Sequence, residues 1–315
     1  MARKPEAGGE DLSALDDNLA ALEKSFGGPS GETTDRRAGA KIATDSHPVE
    51  ARGYDAFYER FDTPLMRQHR REAYGQDIGQ HSWVTAQELV RDIPRLRLEP
   101  ESRVLDLGCG PGGPLTFIVD RAGCRAAGID LSEAAVASAI SRAESLGLSG
   151  RIDFRVADLN GALPFEARSF QAAISIDVVL HLRDRAAAFR EVARVLSPGG
   201  RLLFTDAGVV SGAITASEVR RRSVHGFTQF VAPGFNERSL QLAGFRLVES
   251  ADRTPGLEDC ARARLASRIA HQGELEAVEG RAAFESQLRY LEVVVALSER
   301  GALSRMMYLA ELNSL

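Results

Sequence analysis

The segment 104–113, VLDLGCGPGG, combines an acidic side chain with a turn that is rich in glycine. Gly108 and Gly110 allow the backbone to bend sharply and allow a ligand to approach its amides. Asp106 lies two residues before the first of these glycines. A carboxylate here would repel a pyrophosphate, but it would attract a ligand that carries an ammonium and a sulfonium. The segment therefore predicts a site for a positively charged ligand, although the glycine spacing alone also fits a dinucleotide site.

Two further acidic residues follow apolar segments later in the chain. Asp130 lies 17 residues after Gly113, where a carboxylate can accept hydrogen bonds from both hydroxyls of a ribose. Asp158 can accept a hydrogen bond from the exocyclic amine of adenine. Leu131 and Leu159 directly follow these acids and would contact the two faces of the adenine ring. Acidic residues are also common in solvated turns, but their order after the glycine turn favours ligand binding.

The segment 175–181, SIDVVLH, carries the residues best suited to proton transfer. Asp177 and His181 are four residues apart, so a helical turn places both side chains on one face. Asp177 can attract and orient an ammonium group. His181, which titrates near neutrality, can accept the proton that an amine must lose before it attacks. Ser175, at the end of the preceding strand, is predicted to border the bound ligand. The alternative is a capping aspartate with a packed histidine before a helix at 185–195.

The elements that position these residues alternate between strand and helix, as in a parallel α/β sheet. Seven strands are predicted, at 104–107, 125–129, 152–156, 170–176, 201–204, 245–249 and 305–310. We predict an α/β fold: a Rossmann-like, seven-stranded, doubly wound sheet with an N-terminal helical lid and helical insertions. In such sheets ligands bind outside the carboxyl ends of the strands, where the acids described above are located.

The remaining segments are predicted to surround this sheet. Residues 1–50 are predicted to be a flexible N-terminal segment, because much of this stretch is rich in Gly, Ser, Thr and Pro. Residues 51–98 are predicted to form the helical lid, and residues 99–315 the ligand-binding domain. Two insertions, 207–234 and 252–303, are predicted to wall a substrate pocket.

The loop 75–80, GQDIGQ, is punctuated by glycines and precedes the nucleotide-binding pattern. A loop in this place can close over a bound ligand, and we predict that Gln80 contacts that ligand. The alternative is a surface loop that Trp83 pins to the protein. The following residues, Thr85 to Glu88, predict a capping box at the start of a helix.

Composition and charge exclude several classes of function. The net charge of −5 and the pI near 5.8 argue against a nucleic-acid partner, which needs a basic surface. The chain begins without the apolar core of a signal peptide, and no apolar run is long enough to span a membrane. Cys109, Cys124 and Cys260 are scattered, which indicates a reducing compartment, and neither they nor the histidines show metal-ligand spacing. We therefore predict a cytoplasmic protein that binds no metal and acts on a small molecule. A homodimer is possible.

The order of an acid, one residue and Gly-x-Gly in segment 104–113 resembles motif I of class I S-adenosylmethionine-dependent methyltransferases. The resemblance covers about residues 100–250. It implies S-adenosyl-L-methionine as the cofactor and carries the family's binding roles over to Asp106, Gly108, Gly110, Asp130 and Asp158.

A narrower resemblance concerns the acceptor. Segment 175–181 is similar to the Asp-Ala-Ile-Leu-His stretch of phosphoethanolamine methyltransferases. Loop 75–80 is similar to loops of those enzymes and of sarcosine/dimethylglycine N-methyltransferases. This resemblance implies N-methylation of an amine. The alternative is O- or C-methylation of a secondary metabolite with His181 as the base. A dinucleotide oxidoreductase and a non-catalytic adenosylmethionine-binding protein are further rivals.

Two features depart from the phosphoethanolamine pattern. Those enzymes place a tyrosine beside the histidine, whereas this chain offers Phe61, with Tyr58 nearby. Their tyrosine-rich, phosphate-binding cluster is absent from segment 218–227, EVRRRSVHGF, so the phosphoethanolamine head group is not expected. The basic residues of this segment could bind a substrate carboxylate, although a solvated helix face is the favoured interpretation; they are Arg220, Arg221, Arg222 and His225.

Overall fold

The part of the chain that the structure describes comprises residues 41–43, 55, 57–223 and 227–314 of a computed structural model. The segment predicted at 1–50, apart from 41–43, lies outside it, as does His225. Within this part, the chain forms a central nine-stranded sheet and ten α-helices.

Most strands begin and end close to the predicted positions, but the strand predicted at 201–204 is much longer. They are β1 Lys41–Ala43, β2 Arg103–Leu107, β3 Arg125–Asp130, β4 Ile152–Val156, β5 Phe170–Ile176, β6 Leu196–Val210, β7 Gln229–Val231, β8 Phe245–Asp252 and β9 Leu303–Leu312. All seven predicted strands are present. The sheet gains β7 within the first insertion and β1 within the segment predicted to be flexible.

The strand order of the main sheet is β4-β3-β2-β5-β6-β9-β8. The first five of these strands are parallel, and β9 pairs antiparallel with both β6 and β8. Near the carboxyl end of β6, β7 pairs parallel with it, and β1 pairs antiparallel with β7. Because β2 to β6 are parallel, their carboxyl ends meet at one edge of the sheet. The predicted α/β, Rossmann-like fold class is confirmed.

Helices cover both faces of the sheet, as expected for parallel strands. In chain order they are α1 Pro64–Tyr74, α2 Ala86–Asp92, α3 Gly113–Ala122, α4 Glu133–Ser145, α5 Arg185–Val195, α6 Ala216–Arg222, α7 Phe235–Leu242, α8 Thr254–Ala270, α9 Gln272–Glu279 and α10 Arg281–Glu299.

Alternation along β2 shows how the two faces are filled. Val104 packs in a cluster with residues of α3 and α4, whereas Leu105 packs in a second cluster with residues of α5 and α7. Both side chains are fully buried. Successive side chains of a strand point to opposite faces, so a run of apolar residues is needed to bury both. The sheet is therefore doubly wound, as predicted.

The second insertion forms α8, α9 and α10, and it packs against the segment predicted to be a lid. Trp83, which precedes α2, shares one apolar cluster with Tyr74 of α1, Leu257 of α8 and Tyr290 of α10. His69 of α1 also hydrogen-bonds Ser267 of α8 at 2.8 Å. The segment before α2 is therefore held by the insertion.

Candidate active site

A cavity of about 270 Å³ opens at the carboxyl edge of the parallel strands. It is lined by residues that follow β2, β3, β4 and β5, by the segment before α2, and by α6, α8 and α10. Nine of the eleven predicted site residues line it: Asp106, Gly108, Gly110, Asp130, Leu131, Asp158, Leu159, Asp177 and His181. Residues far apart in sequence thus form one cavity, at the edge of the sheet where α/β folds of this kind bind their ligands.

The backbone N–H groups of the glycine turn after β2 donate hydrogen bonds to other groups of the protein. Gly108 and Gly110 have φ angles of 77° and 53°, which a glycine adopts without strain. The N–H groups of Gly108 and Cys109 donate to the carbonyl of Ile129 at 2.8 and 3.0 Å. The N–H of Gly110 donates to Asp130 Oδ2 at 2.8 Å. These amides already have acceptors, unlike those of a loop that binds phosphates.

The first turn of α3 is covered by the loop 75–80. A Cβ atom added to Gly113 would lie only 2.3 Å from the carbonyl oxygen of Gly79 and 2.4 Å from that of Ile78. Two carbonyl oxygens therefore lie against the helix start, where dinucleotide folds bind a pyrophosphate. This packing disfavours the dinucleotide alternative.

Asp106 is a buried carboxyl group that the described residues leave without a hydrogen-bond donor. Its side chain lines the cavity, and the residue is only 2% exposed. Burial, and to a smaller extent the charge of Asp130, raise its pKa to about 8. A ligand ammonium beside it would supply both the missing donor and the missing positive charge. This site therefore fits a cationic ligand such as the amino-acid part of S-adenosylmethionine.

Asp130 and Asp158 occupy the predicted positions at the ends of β3 and β4. Asp130 Oδ1 accepts the N–H of Ser132 at 3.0 Å, which holds the carboxylate at the cavity. Asp158 is exposed, and its Oδ1 accepts the N–H of Asn160 at 2.8 Å. A carboxylate accepts several hydrogen bonds, so both groups retain capacity for ribose hydroxyls and an adenine amine. The residues after these acids, Leu131 and Leu159, also line the cavity.

Asp177 lines the cavity, but its carboxylate already has partners within the protein, so its predicted role with an amine stays a prediction. Its Oδ1 lies 2.8 Å from Nε of Arg305 and 2.8 Å from Oγ1 of Thr205. Arg305 is fully buried and also bonds Glu88 at 2.8 Å. The backbone of Asp177 is left-handed, with φ of 59°, a conformation that Asp tolerates better than most residues. Its negative charge is therefore used within the protein.

The same network explains why the predicted capping box is half formed. Thr85 accepts the N–H of Glu88 at 3.1 Å, as expected for the cap of α2. The Glu88 carboxylate instead binds Arg305, and burial raises the pKa of this carboxyl group. A tertiary ion pair has replaced the local hydrogen bond.

His181 lines the cavity in its neutral form. Its Nδ1 lies 2.7 Å from the carbonyl oxygen of Phe227. A carbonyl only accepts, so Nδ1 carries the proton and Nε2 carries the lone pair. Burial lowers the pKa of this imidazole, although the hydrogen bond to Phe227 opposes the shift. This tautomer is the one that acts as a general base through Nε2.

Two predicted residues do not line the cavity. Ser175 Oγ donates to the carbonyl of Leu107 at 3.0 Å, within a separate small pocket behind the sheet edge. Gln80 is fully buried inside its own loop, where it bonds the backbone of Ile78 at 2.8 Å and of Gln76 at 2.9 Å. Gln80 shapes the loop that covers α3, so its predicted contact with the ligand is not supported by this geometry.

Several further residues line the cavity, which are Tyr58, His81, Trp83, Arg222, Arg264 and Tyr290. The sequence offers Tyr58 as a neighbour of the histidine, Trp83 as the residue that pins the loop, and Arg222 as a candidate for binding a carboxylate, although a solvated face is favoured. His81, Arg264 and Tyr290 were missed. Arg264 and Tyr290 belong to the second insertion, whose pattern carries no motif. Among the described residues, no cluster of three His, Cys, Asp or Glu side chains could hold a metal ion. None of the helices within the described ranges is long and apolar enough to cross a membrane.

Comparisons with known proteins agree with this site. The family model described as "Methyltransferase domain" matches residues 105–204, from β2 to the middle of β6. Methyltransferase GfsG of Streptomyces halstedii is 38% identical over 133 residues, which are 42% of this chain and 46% of that protein. Phosphoethanolamine N-methyltransferase 1 of Arabidopsis thaliana is 36% identical over 114 residues, which are 36% and 23% of the two chains. The chain thus spans less than half the length of these relatives.

Among solved structures, phosphoethanolamine N-methyltransferase 2 of Haemonchus contortus matches with a TM-score of 0.69 and 18% identity. The match covers 97% of this chain and 76% of that one, which was solved with phosphomonomethylethanolamine and S-adenosylhomocysteine. At this identity the likeness concerns the fold. The comparisons confirm the predicted resemblance to methyltransferases, phosphoethanolamine N-methyltransferases among them.

Proposed function

We propose that this protein, whose residues 105–204 match a methyltransferase domain, is an S-adenosyl-L-methionine-dependent methyltransferase acting on a small molecule. The observation that carries the proposal is Asp106, a buried carboxyl group at the cavity without a donor from the described residues. A bound ammonium would satisfy it. The loop packed against Gly113 at the start of α3 supports the same choice, because its carbonyl oxygens disfavour a pyrophosphate there.

The chain's own residues bind and orient the donor. Asp106 pairs with the ammonium of its amino-acid part, Asp130 accepts the ribose hydroxyls, and Asp158 accepts the adenine amine. When bound, S-adenosyl-L-methionine supplies a methyl group on a positively charged sulfur, which makes it open to displacement by an acceptor lone pair. The protein's main contribution is alignment in a closed cavity.

His181 is the proposed base. Its neutral ring can take a proton at Nε2 from the acceptor, so that a lone pair becomes available for attack. Asp177 is proposed as a positioning residue, because its carboxylate pairs with Arg305. We retain N-methylation of an amine as the first hypothesis, supported by the names of the phosphoethanolamine N-methyltransferases that the chain resembles. The alternative is O- or C-methylation, for which His181 would serve equally.

Binding and turnover test the proposal separately. Isothermal titration is expected to show binding of S-adenosylhomocysteine and not of NAD or NADP; the opposite result would remove the proposal. Incubation with S-adenosylmethionine labelled in its methyl group and a metabolite extract, followed by mass spectrometry, is expected to yield labelled products. The labelled atom in each product, nitrogen, oxygen or carbon, decides between the two acceptor hypotheses. Binding without any labelled product would favour a non-catalytic role.

Three further expectations, on location, domain boundary and oligomeric state, accompany this proposal. A cytoplasmic location is supported by three buried cysteines, none of them in a disulfide. The division into a lid at 51–98 and a cofactor domain at 99–315 is also proposed, and limited proteolysis would reveal its boundary. A homodimer is a proposal that light scattering coupled to gel filtration would test.

A further inference from the structure

We propose that the acceptor carries an anionic group, a carboxylate or a phosphate monoester, which binds at Arg222 in the cavity, with Arg264 as a second positive charge that attracts it. The proposal rests on the methyltransferase function above and names the class of its substrate. Both arginines lie outside the segment 105–204 that the family model matches. Arg264 also belongs to the second insertion, in α8.

Arg222 differs from the other buried arginines in lacking a carboxylate. Six arginines are buried in the described part of the chain, and five have an acidic side chain within ion-pair distance: Arg70, Arg185, Arg201, Arg268 and Arg305. Arg222, which is 4% exposed, has none. Burying an unpaired charge is costly, so such a group is expected to meet an anion that is not part of the protein.

The hydrogen bonds of Arg222 hold it in place but do not neutralise it. Nη1 lies 3.1 Å from the hydroxyl of Tyr290, and Nη2 lies 3.2 Å from the carbonyl of Ala207. Its Nε is buried without any hydrogen-bond partner in the described structure. Both oxygens it contacts are uncharged, and Arg222 is one of the residues that line the cavity. A planar anion suits this group because a guanidinium can bind two of its oxygens.

Arg264 brings a second positive charge to the same cavity. Its Cζ lies 4.8 Å from the centroid of the Trp83 ring, and no described carboxylate forms an ion pair with it. Arg222 is placed similarly, 5.2 Å above the ring of Tyr290. The two rings are stacked, with centroids 6.1 Å apart. Each guanidinium thus contacts an aromatic ring, which holds it in place without cancelling its charge.

The acids that line the cavity do not neutralise these arginines. Asp177 is paired with Arg305, and Asp106, Asp130 and Asp158 lie in the part assigned to the donor. Arg222 also contributes to lowering the pKa of His181, so its charge is felt at the proposed base. The anionic group would thus bind close to the base.

Trp83 provides a direct readout, since it is the only tryptophan in the chain. Its fluorescence can be followed while benzoate, phenyl phosphate or neutral benzamide is added, with and without S-adenosylhomocysteine. We expect a saturable change with at least one of the two anions and none with benzamide. The anion with the lower Kd identifies the carboxylate or the phosphate monoester as the preferred group.

Variants assign the effect to the two arginines. Arg222→Gln and Arg264→Gln are each expected to weaken anion binding by about tenfold or more, as for loss of one charged hydrogen bond. Arg222→Lys, which keeps the charge, should weaken it less. The matched control is Arg221→Gln, which removes an exposed guanidinium from the same helix and should leave the Kd unchanged. If Arg222→Gln does not fold, the partly exposed Arg264 still provides the test.

Three results would overturn the inference: benzamide binding as tightly as the anions, no saturable change with either anion, or full anion affinity in the folded glutamine variants. These outcomes are separate from the methyltransferase proposal. S-adenosylhomocysteine binding and label transfer can succeed while anion binding fails, and the titration without S-adenosylhomocysteine reports on the arginines even if the donor does not bind.

Discussion

The backbone N–H of Trp83 donates a hydrogen bond to Oδ2 of Asp177 over 3.1 Å, across 94 positions of sequence. This bond joins the segment before α2 to the end of β5. Asp177 also binds Arg305 of β9 through its other oxygen. One carboxylate therefore fixes three segments around the cavity, and its contribution to activity is expected to pass through this geometry.

Removing the charge of Asp177 should reduce stability. Asp177→Asn leaves the buried Arg305 with Glu88 as its one carboxylate partner among the described residues. We expect a loss of about 3 kcal/mol, the lower end of the range for a broken buried ion pair. Urea unfolding measures this value. The control Asp153→Asn removes an exposed partner of Arg155 and should change stability by less than about 1 kcal/mol. If stability is unchanged and activity is lost only on amines, Asp177 binds the amine acceptor directly.

The affinity for S-adenosylhomocysteine should rise with pH up to about 8. Burial and Asp130 raise the pKa of Asp106 to about 8, so the carboxyl group is largely protonated at lower pH. A ligand ammonium binds its ionised form, so binding at pH 7 should release close to one proton. Titration calorimetry in two buffers of different ionisation enthalpy measures that release. Asp106→Asn should bind S-adenosylhomocysteine more weakly and without proton release. Equal proton release in the wild type and the variant would show that Asp106 does not bind the ligand ammonium.

The same group predicts the pH dependence of stability without ligand. The folded protein holds this proton more tightly than the unfolded chain, whose carboxyl pKa is about 4. The stability that Asp106 contributes is therefore fully present below pH about 4 and is lost as pH rises from about 4 to about 8. Urea midpoints across this range should fall less steeply for Asp106→Asn than for the wild type.

The contact between the loop 75–80 and α3 should not tolerate a methyl group. Gly113→Ala places a Cβ 2.3 Å from the Gly79 carbonyl, so the loop must move. We expect a loss of about 1–3 kcal/mol, as in other overpacked sites, and weaker S-adenosylhomocysteine binding. Thermal unfolding and calorimetry measure both. The control is Gly150→Ala, whose Cβ would meet no atom within 4 Å. A Gly113 variant that matches the wild type in both would show that the loop does not cover the helix closely.

His181 should affect turnover and not donor binding. We expect His181→Gln to lower kcat by about 10²–10⁴-fold, the usual contribution of a general base. The affinity of this variant for S-adenosylhomocysteine should stay close to that of the wild type. Because burial lowers the pKa of His181, the acidic limb of the wild-type kcat profile should lie below pH 6.5. The partly exposed His271, which pairs with Glu72 on the surface, provides the control His271→Gln. An unchanged kcat would exclude His181 as the base.

The sequence by itself determined the seven main strands and the acids that line the cavity at their carboxyl ends. The seven strands, the glycine turn of Gly108 and Gly110, and the acids Asp106, Asp130 and Asp158 were all readable from local patterns. Strand periodicity and turn chemistry act over a few residues, and parallel strands bring their carboxyl ends together by topology alone. These features therefore need no knowledge of which distant segments meet.

Only the tertiary structure decided how charges are paired. Asp177 meets Arg305 from 128 positions away, which is why we propose a positioning role for it. Arg222 is buried beside Tyr290 of the second insertion, whereas its sequence context predicts a solvated face. Whether a charge is neutralised or directed at a ligand depends on which segments pack against it. That packing is the sum of many weak contacts between distant residues, and no spacing within the chain encodes it.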